Sequence, residues 1–80
     1  MATKRNKFRP RAIEVTMGHN WDRDLVAAAK RCEYVVDGID RDQPCDVTVT
    51  LIARHPASVV EDKLREALGF AGWMDVRDAR

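Results

Sequence analysis

Asp46-Val47-Thr48-Val49-Thr50-Leu51-Ile52-Ala53-Arg54 is the stretch that decides the fold. Val47, Val49, Leu51 and Ala53 alternate with Thr48, Thr50 and Ile52, which is the period of a strand with two unlike faces. The β-branched residues suit a pleated, half-buried surface. His55-Pro56 stops the strand, because the residue before a proline is held extended. One face of this strand must be covered, so at least one amphipathic layer has to lie against it.

Downstream, Ser58 and Glu61 form a Ser-x-x-Glu capping box that predicts a helix start. Val60, Leu64, Ala67 and Leu68 then make a buried stripe at helical spacing. Gly69 suits a left-handed residue after the helix, with Phe70 supplying the apolar contact that follows such an ending. Trp73 to Arg77 reads as a final short strand, with Met74 and Val76 inward.

Upstream, Asp37 to Pro44 is a polar connection. Tyr34-Val35-Val36 either finishes a helix or begins a strand, since three β-favouring residues meet the turn signal Asp37-Gly38. A helix is predicted over Trp21–Glu33, with Asn20 as N-cap and Asp22 and Asp24 at its positive end. Trp21, Leu25, Ala28, Ala29 and Cys32 form its apolar stripe. Before it, Ala12 to Met17 reads as a strand with Ile13, Val15 and Met17 on one face.

The order is β-α-(β)-β-α-β, an α+β two-layer sandwich. Two helices cover one face of a three- or four-stranded sheet. If residues 34–39 add the bracketed strand, the order is ferredoxin-like. The other sheet face then holds Glu14, Thr16, Thr48, Thr50, Ile52, Trp73, Asp75 and Arg77.

Eighty residues, 45% hydrophobic and 34% charged, make one small soluble domain. Cys32 and Cys45 are too few for a disulfide framework, and no apolar segment follows the basic start as a secretory signal would require. The expected location is the cytoplasm of a host cell.

Charge is the main functional signal. Lys4, Arg5, Lys7, Arg9 and Arg11 fall in the first eleven residues, with no acid before Glu14. The chain has 14 Lys+Arg against 13 Asp+Glu, so the remainder is net acidic. Residues 1–11 are expected to form a flexible basic arm and residues 12–80 a single α+β domain. The arm suits a phosphate backbone or an acidic protein groove, or it is a solubilising tail. Asp40, Asp42 and Asp46, with Asp37, crowd one connection and would attract a basic groove or the arm of a second copy. Trp73 is the candidate apolar anchor, with core packing as its rival reading. The polar sheet face is otherwise solvated, or a homodimer interface through Ile52 and Trp73.

No catalytic, cofactor or metal motif emerges. His19, His55, Cys32 and Cys45 match no compact zinc spacing, and the acidic connection has its glycine at the wrong position for an EF-hand. No nucleophile elbow or phosphate loop is present.

The chain's size, its Lys4-Arg5-Asn6-Lys7 start and its single unadorned domain resemble the small proteins carried by phages and mobile elements. Anti-CRISPR inhibitors are one such group. That resemblance implies a non-enzymatic inhibitor that occupies a protein or nucleoprotein complex and blocks target-DNA binding. It needs no cofactor and no membrane. The alternative is a small nucleic-acid-binding protein whose arm grips phosphate.

Overall fold

A computed structural model describes residues 9–79 of the chain. Four strands and two helices follow one another as β1 (Arg11–Gly18), α1 (Asp22–Arg31), β2 (Val35–Asp40), β3 (Asp46–Ala53), α2 (Ala57–Leu68) and β4 (Asp75–Asp78). A 3-10 turn, His19–Trp21, leads into α1. The sheet is antiparallel throughout, in the order β2-β3-β1-β4. Each β-α-β unit is therefore split by a strand of the other unit, which is the ferredoxin-like arrangement.

The central pair is the longest. β1 and β3 match residue for residue from Arg11↔Ala53 to Gly18↔Asp46. Their alternation places Ile13, Val15 and Met17 beside Leu51, Val49 and Val47 on one face, all fully buried. Leu25, Ala28 and Ala29 of α1 and Val60 and Leu64 of α2 close over that face. Each large side chain buried there contributes about 1.5–3 kcal/mol.

Residues 34–39 do add a strand. Tyr34 is buried in the core, and Val35 begins β2. The β2–β3 ladder slips between Val36 and Gly38, so Asp37 is the extra residue of a β-bulge. The bulge lets both Val36 and Ile39, three apart, pair with inward Leu51 and Val49.

Both helix starts differ from the sequence expectation. Asn20 does not cap α1. It sits inside the 3-10 turn, which is held where the His19 amide donates to the Cys45 carbonyl at 2.9 Å. Trp21 occupies the cap position instead, without a side-chain bond, and α1 is shorter than Trp21–Glu33. Ser58 and Glu61 do not form a capping box. Pro56 is already the cap, extended at φ −68° and ψ 162°, and its carbonyl accepts from Val59 and Val60. Proline's fixed φ and missing N–H fit that position, which moves the start back to Ala57 and leaves Ser58 inside the helix.

The helix ends share one device. At α2, Gly69 is left-handed at φ 64°, its N–H reaches the Glu66 carbonyl, and the Phe70 N–H reaches Arg65. At α1, Glu33 takes the same conformation at φ 66°, its N–H reaches Lys30, and the Tyr34 N–H reaches Ala29. Both are Schellman endings, but only one has the glycine that makes the conformation inexpensive. Glu33→Gly is expected to stabilise the fold, because it removes about 1–3 kcal/mol of left-handed strain against about 0.5–1 kcal/mol of added backbone entropy. A chemical-denaturation midpoint that fails to rise would contradict the strain reading.

Candidate functional site

Register decides which side chains share the uncovered sheet face, because directly paired residues of neighbouring strands point the same way. Three rows cross it. The first joins Val35, Ile52 and Ala12. The second joins Gly38, Thr50, Glu14 and Arg77. The third joins Asp40, Thr48, Thr16 and Asp75. Asp46, paired with Gly18, completes the same end.

The third row is polar along its length. The hydroxyls of Thr16 and Thr48 are 2.9 Å apart and hydrogen bonded. Such cross-strand pairs contribute roughly 0.2–1 kcal/mol. Asp40 accepts the Asp42 amide at 2.9 Å, fixing the turn that follows β2. Asp75 holds Arg77 in a charge-assisted bond, and that bond raises the Arg77 pKa, with Glu14 adding to it. The face thus carries Glu14, Asp40, Asp46 and Asp75 against one arginine that is already paired.

Arg41, a residue the sequence reading passed over, organises this end. Its guanidinium grips the Asp22 carboxylate through Nε at 2.5 Å and Nη2 at 3.0 Å, tying the β2–β3 connection to the first turn of α1. That hydrogen bond, followed by the charge of Arg41 itself, holds the Asp22 carboxyl below its ordinary 3.8. No local pattern links positions 22 and 41, so only the folded chain brings them together.

The expected acidic cluster is rearranged. Only Asp42 lies in the connection; Asp40 ends β2 and Asp46 begins β3, so both belong to the sheet face. Glu14 and Asp75 join them there, although neither was grouped with the acids. Strand alternation put Glu14 and Asp75 on that face in the sequence, and only the ladders place Asp40 and Asp46 beside them.

Trp73 is 58% exposed, which removes its core-packing reading. It does not start the last strand. Pairing with β1 begins at Asp75, and Trp73 lies in the preceding loop. That loop is fastened by Arg65, which donates to the Gly72 carbonyl at 2.7 Å and to Glu61 at 2.9 Å. Phe70 packs on Trp21 with ring centres 4.6 Å apart, and a side chain at Gly72 would strike the Phe70 ring. Trp73 therefore projects from a braced support at the acidic end of the strands.

The basic candidates lie at the other end. Arg11 belongs to β1 rather than to an arm: it pairs with Ala53, and its side chain stands 3.9 Å from Asp78. A full ladder partner on β3 extends the strand one residue past the sequence boundary. Arg9 is exposed. Lys4, Arg5 and Lys7 lie outside the described residues. Along eight-residue β1 the two ends are separated by about 24 Å.

The histidines and cysteines have local partners. His55 Nδ1 and the Tyr34 hydroxyl are hydrogen bonded at 2.9 Å, and burial pushes the Tyr34 pKa up. Cys32, expected on the apolar stripe, caps α1 half-buried, and its thiol donates to the Lys63 carbonyl at 3.7 Å. Both cysteines are free thiols. Among the described residues no group of three or more potential ligands gathers around a metal-sized space, and no Cys–His hydrogen bond forms. No described helix is long and apolar enough to cross a membrane.

No protein-family model, curated protein or solved structure matches the chain.

The Asp22–Arg41 clamp predicts an acid response. A carboxyl lowered in the folded state contributes stability that is fully present above its unfolded pKa and is lost as pH falls through the folded value. Arg41→Gln should therefore destabilise at neutral pH and progressively less at strongly acidic pH, where Asp22 becomes protonated in the folded state as well. Denaturant titrations at neutral and strongly acidic pH check this, and parallel losses at both would contradict it.

Proposed function

We propose that this is a non-enzymatic binding protein that acts by occupying a basic surface of a protein or nucleoprotein complex. The acidic sheet face supports that reading. Glu14, Asp40, Asp46 and Asp75 share one exposed surface with a ladder of threonine hydroxyls. In ferredoxin-like nucleic-acid binders the corresponding face presents stacking aromatics on its central strands. Here the central strands present Thr16, Thr48, Thr50 and Glu14, and the carboxylates repel phosphate.

A partner's Lys and Arg side chains fit this surface in both sign and hydrogen-bonding capacity. Trp73 adds an apolar contact beside it, as an exposed tryptophan on a braced loop suits an interface anchor. Basic surfaces that otherwise hold nucleic acid are the natural class of target, and occluding one needs no chemistry. The sharper form of the reading comes from the likeness to phage-borne anti-CRISPR proteins. In that form the target is a CRISPR effector complex in the host cytoplasm, and the effect is blocked DNA binding.

The test is affinity capture from the native host with the tagged full chain, followed by quantitative mass spectrometry. Asp40→Lys with Asp75→Lys should lower recovery of the partner more than tenfold, and Trp73→Ala should cost about 2 kcal/mol of binding. Partner recovery that survives the double charge reversal would exclude the sheet face as the binding surface.

A further inference from the structure

The end of the molecule from which β1 departs holds a shallow groove made of three adjoining open hollows that share lining residues. It begins between Arg9 and Arg11, runs past Pro10 along the start of β2 and the end of β3, and continues between the C-terminus of α1 and the face of α2. The first two stretches share Pro10, and the last two share Cys32, Glu33 and His55. Arg9, Arg11, Arg54, Arg31 and Lys63 line it in that sequence.

Among the other described cations, Arg41, Arg65 and Arg77 are each held by a carboxylate, whereas Arg23 and Lys30 have no ion pair. In the groove, Arg9, Arg54 and Lys63 are exposed and have no ion-pair partner among the described residues, and Arg31 is held only by the Ala67 carbonyl at 2.8 Å. Arg11 alone has a carboxylate, Asp78, at 3.9 Å. Glu33 and Glu66 also border the groove, so its balance is five cations to three carboxylates.

The middle of the groove is apolar. Pro10, Val35 and Ile52 line it there, and Val35 is 61% exposed, the most exposed large hydrophobic residue described. Cations spaced along a track, with an apolar wall between them, match a chain that has regular negative charges and flat apolar rings. That is the chemistry of a single nucleic-acid strand, with phosphates on the guanidinium and ammonium groups and the apolar base surfaces packed on Pro10 and Val35. A duplex fits less well, because its bases are paired and stacked inside the helix and offer no face to Pro10 and Val35.

We propose that this groove binds a single nucleic-acid strand, with Arg54 and Lys63 as phosphate contacts on the folded domain. The proposal extends the nucleoprotein reading above: the acidic face would meet the protein, and the opposite end the nucleic acid. It is tested separately, without the protein partner.

The full chain is titrated against a fluorescein-labelled oligo(dT) and a duplex of equal length, over a salt series starting at about 50 mM. The single strand is expected to bind more tightly than the duplex. Arg54→Ala with Lys63→Ala should weaken it about tenfold and reduce the log–log salt slope by about 1.4, the value for two phosphates on a single strand. Both positions are exposed, so circular dichroism should show an unchanged fold. The proposal would be overturned by no binding at the lowest salt, by tighter binding of the duplex, or by a double variant with unchanged affinity and slope. Asp40→Lys with Asp75→Lys should leave oligo(dT) binding intact or strengthen it, and a loss there would place the strand on the wrong surface. None of these outcomes bears on capture of a protein through the acidic face.

Discussion

The eight-residue ladder between β1 and β3 is the constraint on which everything else depends. It sits at the centre of the sheet, so both of its edges are used: β3 carries β2, and β1 carries β4. A slip of one residue would turn Ile13, Val15 and Met17 outward and bring Glu14 and Thr16 under the helices. The helices can close only over the register observed, since their stripes of Leu25, Ala28, Val60 and Leu64 have no other apolar surface to meet. The same register lays out the uncovered face. Core and candidate binding surface are two readings of one alternation.

The second organising feature is the separation of charge along that ladder. Acids gather where β1 ends and β3 begins, and free cations gather where β1 begins and β3 ends. Of the arginines at the acidic end, Arg41 is committed to the α1 terminus and Arg77 to Asp75, while Arg23 in the first turn of α1 has no ion pair. On the sheet face itself, Glu14, Asp40, Asp46 and Asp75 stand against the one paired arginine.

Much of this was legible in the residues, and the gaps have physical causes. The strands around Val49 and Val15 and the stripes of both helices followed from periodicity. β2 was ambiguous because the bulge at Asp37 breaks its alternation: Val36 and Ile39 both face inward, three positions apart, which neither a strand nor a helix period describes. The helix caps were misassigned because several polar residues compete near each start. At α2, backbone geometry at Pro56 outweighed the Ser58–Glu61 pattern. Trp73 was named as an anchor, but its exposure rests on the strand beginning two residues later.

By itself the sequence determined the class of fold, the inward phase of each main element and the asymmetry of charge along the chain. These are local properties, written in intervals of two, three or four residues. Only the tertiary structure decided which strands are neighbours, that Asp22 meets Arg41, that Glu14 and Asp75 join Asp40 and Asp46, and that Arg31, Arg54 and Lys63 line one groove with the start of β1. Those groupings join residues tens of positions apart. They arise because each helix must cross back over the sheet to bury its stripe, and that crossing, rather than any local spacing, sets which distant side chains share a surface.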